Sequence, residues 1–481
     1  MNPINILFII VIYFVVLLSI SYFTSRNANN FSFFLGNKKS PWYIVAFGMI
    51  GVSLSGITFI SLPGWVGDSQ FSYMQMVLGY LLGYFVIANI LMPLYYRLNL
   101  TSIYTYLETR FGFWSYKTGA SFFLLSRIMG ASFRLFIVVN VLQKAIFNSW
   151  NIPFEATVIV SILLIWLYTF RGGIKTIIWT DSLQTIFMLT AIGVSVYFIS
   201  DSLGLSFNGV VNMIADSDLS KTFFFEDWSD KRYFFKQFFS GAFIAIAMTG
   251  LDQDMMQKNL SCRNIKEAKK NMYWFSITLV PVNLLFMSLG VLLFIFAQKN
   301  GIKIPVQSDD LFQIIATNGY LSPMVGIFFI LGLIAAAYSS ADSALTALTT
   351  SFTVDILNTK KLDGANIMKI RKKVHVLMSI ILILVILIFK AINDQSVISA
   401  LFTVAGYTYG PLLGLYSFGL FTKYSLKDKL VPFVTIISPV ICYFVNYYSE
   451  SWLKGYQFSF ELLILNGLIT FIGLFLIKQK H

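Results

Sequence analysis

Charge is scarce in this chain of 481 residues. Asp, Glu, Lys and Arg together make up 12% of it, about half of the roughly 25% found in an ordinary soluble domain. Cysteine occurs twice, as Cys262 in a basic loop and Cys442 in an apolar run, which excludes a disulfide framework or a four-cysteine zinc site within one chain. Histidine also occurs twice, as His375 and His481. Both fall at or beyond the cytoplasmic end of an apolar segment, so a histidine proton relay inside a membrane is not expected. No phosphate-loop, zinc or nucleotide motif is present. No polar loop exceeds about 30 residues, too few for an independent core, so a fused catalytic or sensor-kinase domain is excluded.

What fills the chain instead is apolar: 57% hydrophobic residues and a mean hydropathy of +0.73. Apolar stretches near 20 residues recur from end to end, the length that crosses about 30 Å of hydrocarbon as a helix. Repeated runs of that length predict a helical bundle and not a barrel, because a helix satisfies its own backbone groups. Thirteen spans are expected, near 4–23, 42–62, 74–96, 118–147, 154–170, 176–199, 233–251, 272–297, 321–356, 374–391, 396–421, 430–448 and 457–477. The first lacks a basic n-region and a small-residue cleavage site, and is read as a span and not a signal peptide.

Alternate loops are basic. Arg26, Lys38 and Lys39 are followed by Arg97, Arg110 and Lys117, then by Arg171 and Lys175. Next come Lys258, Arg263, Lys266, Lys269 and Lys270, then Lys360, Lys361, Lys369, Arg371, Lys372 and Lys373. Lys423, Lys427 and Lys429 precede a basic end at Lys478 and Lys480, whereas the long loop near 200–232 is acidic. The positive-inside rule then predicts an outside N-terminus and a cytoplasmic C-terminus in a bacterial inner membrane. The net charge of +13 is thus a topology signal and an attraction to anionic lipid head groups, and no nucleic-acid partner is expected.

Polar residues are costly inside a bilayer and therefore informative. The second span carries Gly48, Gly51 and Gly56, the hydroxyls of Ser53, Ser55, Thr58 and Ser61, and Pro63 at its end. Such a segment makes a poor continuous helix. An interruption there frees carbonyls able to coordinate a cation near the midplane; close packing of small residues is the alternative. The ninth span holds Ser339, Asp342 and Ser343 at i, i+3 and i+4, on one helix face. Hydroxyls beside a carboxylate suit a hard monovalent cation. Asp181 opens the sixth span, where it is either a helix cap or part of a site. Arg127 and Arg134 lie seven residues apart in the fourth span, near one face. At that depth each needs a partner: Asp342 is the default, an anionic substrate the alternative.

These residues resemble the sodium:solute symporter family over essentially the whole chain. The segments that carry the resemblance are Ala335 to Ser343 with Thr353-Val354-Asp355-Ile356, Gly172-Gly173 with Trp179 to Gln184, and Asp252 to Lys258. The resemblance implies an all-α membrane protein with a LeuT-like core of two inverted five-helix repeats, residues 42–199 and 233–421, the first helix of each being broken. Residues 1–41 and 422–481 would be peripheral. It implies a main sodium site of the Gly51, Leu54 and Ala336 carbonyls with the Ser339 and Ser340 hydroxyls. Gly51 stands where relatives often have alanine. A second sodium would be held by Asp181, Ser339, Asp342 and Ser343; Asp342 replaces a serine there, which can strengthen that site, make it proton-linked or reserve Asp342 for an arginine.

For the solute, Leu54-Ser55-Gly56-Ile57-Thr58-Phe59 is similar to the sialic-acid type. Ser53, Ser55, Thr58 and Tyr73 match its ligand-facing positions. The family's carboxylate-gripping arginine aligns with Gly130, between Arg127 and Arg134. The implied function is alternating-access import of a small organic solute with Na+ across the membrane: a sialic acid, a sugar or another carboxylate, with a neutral sugar or an amino acid such as proline as the alternative. One charge crossing 100 mV yields roughly 2.3 kcal/mol and a tenfold gradient about 1.4, so one sodium sustains roughly 500-fold accumulation of a neutral solute. An enzyme would need an acid–base or metal constellation that is lacking, and a sensor with this fold would usually carry an output domain. The oligomeric state is left open, a monomer being compatible.

Overall fold

The computed structural model describes residues 3–479 apart from 27, 360–362, 393–396, 454 and 457. The basic positions Lys360, Lys361 and Lys480, and His481, lie outside the described residues. Fourteen principal helices can be followed. The first six are α1 (Pro3–Ser25), α2 (Trp42–Ser69), α3 (Tyr73–Arg97), α4 (Phe113–Ala145), α5 (Phe154–Thr169) and α6 (Ile174–Ser202). They are followed by α7 (Phe234–Gly250), α8 (Gln253–Leu260), α9 (Ile265–Lys299) and α10 (Pro323–Ile356). The last are α11 (Gly364–Ile392), α12 (Val397–Phe421), α13 (Val431–Trp452) and α14 (Leu462–Leu476). Among the described residues, eight helices are long and apolar enough to cross a bilayer singly. The number rises to ten if each of two sharply bent pairs is one span.

The first bent pair is α2. Its limbs Trp42–Gly56 and Thr58–Ser69 meet at 57°, with Ser55 at φ +42°, ψ 169°. A non-glycine residue at positive φ is strained, and it stands in the run of small and hydroxyl residues that the sequence marks as a poor helix. The second pair is α7 and α8, bent by 66°. Here the sequence reading needs correction, because Asp252 to Lys258 do not follow the seventh span as a loop. The Asp252 carboxylate accepts the amides of Asp254 at 2.8 Å and Met255 at 3.4 Å, restarting the helix in a new direction as an N-cap does. Every residue of α8 is buried.

Two other expectations shift. α6 begins at Ile174 after Gly173, so Asp181 sits inside the helix and caps nothing. His375 is not at a span's end: it is buried within α11, its ring nitrogens 3.0 Å from the Thr169 hydroxyl and 2.8 Å from that of Thr349.

α10 is the central helix. Each residue from Gly332 to Ser351 is buried, as expected of a helix surrounded on all sides, and it packs on α2, α4 and α6. Small residues set how closely helices approach. A Cβ on Gly79 of α3 would lie 2.0 Å from the Phe238 carbonyl of α7, and one on Gly241 of α7 would lie 2.2 Å from the Met76 carbonyl. This is the small-residue packing by which membrane helices associate without a hydrophobic driving force. Gly79→Leu is expected to destabilise the protein by about 1–3 kcal/mol through overpacking, read as a lower melting temperature of the purified protein in detergent. An unchanged melting temperature would show that α3 and α7 separate at no cost.

Candidate functional site

The break in α2 creates the site. The turn at Ser55 ends the first limb of α2 just after Gly51 to Leu54, and carbonyls at the end of a helix are available to other partners. α10 lies against this point, and the Ser340 hydroxyl donates to the Val52 carbonyl at 3.3 Å. One residue earlier on α10, Ser339 donates to Asp181 Oδ1 of α6 at 2.8 Å, and Ser343 to Oδ2 at 3.4 Å. Ala336 is buried one turn before Ser340.

α6 reaches α2 because glycine lets it. A Cβ on Gly48 would meet the Asp181 Cβ at 3.0 Å, and one on Gly51 would meet Thr185 Oγ1 at 2.3 Å. The glycine at 51, where alanine was the expectation, therefore makes room for Thr185, whose hydroxyl donates to the Asp181 carbonyl at 2.8 Å.

Beside the break opens a cavity of about 980 Å³ including its open mouth. Ser53, Ser55, Thr58, Tyr73, Arg127 and Arg134 all line it, so the six side chains proposed from sequence for the solute converge on one space. Sequence reasoning passed over the rest of its aromatic wall, Trp65, Tyr80 and Tyr84, together with Thr249 and Asn283. Tyr73 and Tyr80 are joined hydroxyl to hydroxyl at 3.0 Å. Next to the cavity's end of α2, Ser61 donates to Asp309 of the loop before α10 at 2.9 Å, and burial holds the Asp309 carboxyl above the usual carboxylate range.

The charged groups pair differently from the sequence expectation. Arg127, only 4% exposed, does not meet Asp342. It forms an ion pair with Asp254 of α8 and lies 4.0 Å from Asp252, and Asp252 Oδ2 accepts the Tyr409 hydroxyl at 2.5 Å. Asp342 Oδ2 accepts the Tyr168 hydroxyl of α5 at 2.8 Å, while its Oδ1 has no hydrogen-bond partner. Among the described residues Arg134 forms no ion pair, and its Nε is buried without a hydrogen-bond acceptor. Lys258, counted from sequence as a cytoplasmic loop residue, is 1% exposed, with Nζ 2.8 Å from Asp181 Oδ2. The i, i+4 spacing of Asp254 and Lys258 is a signal for a helix there, but it does not mark that helix as buried or point to Asp181.

A broken helix, a hydroxyl-bearing helix against it and an adjoining polar and aromatic cavity make an arrangement able to hold an ion and a solute side by side. The sequence profile of the sodium:solute symporter family matches residues 33–425. The chain belongs to that family. This sodium:solute symporter is accordingly a membrane transporter that couples sodium to the movement of a small solute, not an enzyme.

It is 26% identical to the sodium/sialic acid symporter NanT of Aliivibrio fischeri, over 84% of this chain and 80% of that protein. To the sodium/sialic acid symporter SiaT of Proteus mirabilis it is 25% identical, over 84% of this chain and 81% of that one. The human sodium/iodide cotransporter is 22% identical over 81% of this chain and 61% of its own length, so membership alone leaves the solute open. The fold is that of a sodium-coupled sialic acid symporter solved in a substrate-bound, outward-open state. The TM-score is 0.82 at 21% identity, over 100% of this chain and 99% of that one.

Proposed function

We propose that this symporter imports a sialic acid or a related carboxylate-bearing sugar, and that Arg134 receives the carboxylate. The observation that carries the reading is the unequal state of the two arginines. Arg127 is consumed by Asp254 and Asp252, whereas Arg134 faces the same cavity and, among the described residues, forms no ion pair. A desolvated guanidinium without a partner is costly, and an anionic ligand supplies the missing one. The hydroxyls of Ser53, Ser55 and Thr58 suit the polar edge of a sugar. The wall of Trp65, Tyr73 and Tyr80 suits its apolar faces. Two sialic acid symporters among the relatives support the same solute class.

The main sodium site is assigned to the Gly51, Leu54 and Ala336 carbonyls with the Ser339 and Ser340 hydroxyls. In support, the turn at Ser55 falls just after Gly51 and Leu54, and Ser340 reaches the neighbouring Val52 carbonyl. Sodium there ties the first limb of α2 to α10, which organises the solute cavity on the other side of the break. Thirteen spans, two inverted repeats over residues 42–199 and 233–421, and peripheral segments 1–41 and 422–481 complete the proposed architecture. The two bent helices fall at the start of each proposed repeat, where broken helices typically form the midplane site of such transporters. The loop charges support an outside N-terminus and a cytoplasmic C-terminus in a bacterial inner membrane.

Reconstituted protein should take up labelled sialic acid only when an inward sodium gradient is imposed. In Ser340→Ala and Ser339→Ala the sodium concentration for half-maximal uptake should rise roughly tenfold, the equivalent of about 1.4 kcal/mol. Sodium activation unchanged in both variants would remove the main-site assignment. Uptake of proline or a neutral sugar in place of sialic acid would remove the solute assignment.

A further inference from the structure

We propose that the Lys258 ammonium is a built-in cation that fills the second cation position beside Asp181, so this symporter binds one sodium where a bare Asp181–Ser339–Ser343 site would take a second. The inference rests on the main-site reading above. Asp181 lies between three elements: α10 gives it the Ser339 and Ser343 hydroxyls, α8 gives it the Lys258 ammonium, and α6 carries it. A carboxylate flanked by two serine hydroxyls is a donor set that a monovalent cation would use. Here the cation is covalently attached.

Among the described residues two carboxylates lie within 4.0 Å of the Lys258 ammonium. Asp181 is at 2.8 Å, and Asp254, at 4.0 Å, is taken up by Arg127, while Asp342 is near enough to act on it but forms no ion pair with it. Both Lys258 and Asp181 are 1% exposed, so neither charge is solvated and each persists through the other. A sodium on the same carboxylate would sit within a few ångströms of Nζ, where two cations repel strongly in a medium of low dielectric. The remaining charge nearby does not reverse this. Asp342 is anchored through Oδ2 to Tyr168, and Arg127 adds a further positive charge beyond Asp254.

One consequence is energetic. With a solute carrying a single carboxylate, one sodium per turnover moves no net charge, and the sodium gradient alone drives uptake.

The test counts ions. Equilibrium binding of radioactive sodium to the purified full-length protein should give one ion per wild-type molecule. Lys258→Met, which keeps the length of the side chain and removes its charge, should give two. Lys258→Arg should stay at one, and Asp181→Asn/Lys258→Met should return to one. Two ions in the wild type, or no gain in a Lys258→Met protein that elutes as a single symmetric peak, would overturn the proposal. If Lys258→Met does not fold, the wild-type count decides: one ion supports the proposal and two overturn it. The main-site reading is scored separately by Ser340→Ala, which should lose one ion from the wild-type count. A gain of one ion in Lys258→Met with no loss in Ser340→Ala would sustain the tethered cation and reject the main site.

Discussion

Arg127→Ala is expected to be among the most destabilising single substitutions in this protein, lowering its stability by about 3–5 kcal/mol. The size follows from what is left behind. Arg127 is the only cation paired with Asp252 among the described residues, and it pairs with Asp254 as well. All three side chains are buried. Truncation leaves Asp252 with no cation and Asp254 with only the Lys258 ammonium 4.0 Å away, in a medium that solvates charge poorly, whereas neutralising the carboxylates as well removes that cost. Arg127→Ala should therefore show a clear drop in melting temperature and in the yield of monodisperse protein. The combination with Asp252→Asn and Asp254→Asn should recover part of that loss. A single variant that melts with the wild type would mean that the ion pair contributes nothing, and that the bend between α7 and α8 is held by the Asp252 cap and the Tyr409 contact alone.

Arg134→Ala should leave the fold largely intact and act on the solute. A hydrogen bond to a charged group is worth about 1.5–3 kcal/mol, so KM for sialic acid should rise roughly 10- to 150-fold at 1.4 kcal/mol per tenfold. The control lies in the chemistry of the ligand. For the carboxamide of the same sugar, the variant and the wild type should differ little, because the amide carries no charge for the guanidinium to meet. Equal losses for acid and amide would make Arg134 a packing residue, and no loss for either would exclude it from the site. Because Arg127 and Arg134 line the same cavity, measuring solute affinity and melting temperature on each variant separates them. Arg127→Ala should move mainly the second and Arg134→Ala mainly the first.

These groups connect the two bends. Sodium assigned to the carbonyls of α2 and the hydroxyls of α10 would hold one broken helix to the central helix. Lys258 holds the other bent segment, α8, to α6 through Asp181. Ser339 belongs to both neighbourhoods: it is a proposed sodium ligand whose hydroxyl donates to Asp181. The two neighbourhoods are therefore joined by one hydroxyl and one carboxylate.

Much of this was open to a reading of the chain by itself. Hydropathy and the shortage of charge determine the membrane class, because about 20 apolar residues have no other stable environment. The loop lysines and arginines bias the orientation. The run of glycine, serine and threonine near Ser55 marks the break, since each of those residues weakens a helix locally. The hydroxyls of Ser339, Ser340 and Ser343 fall on α10 by spacing alone, as periodicity dictates. The same logic failed at Lys258. A lysine beyond an apolar run reads as a loop residue unless one knows that the chain turns through 66° at Asp252 and runs back into the protein.

What only the tertiary structure decided is the pairing. Asp181 meets Lys258 across 77 residues of sequence and Asp254 meets Arg127 across 127, and no local code links either pair. The sequence supplied the right charges, two arginines, a lysine and four buried aspartates. Which cation neutralises which carboxylate depends on the direction in which two broken helices leave their bends, because a charge buried in so dry an interior is costly unless the fold sets an opposite charge beside it. That direction left Arg134 in the solute cavity with no ion pair among the described residues, and it set Lys258 against Asp181.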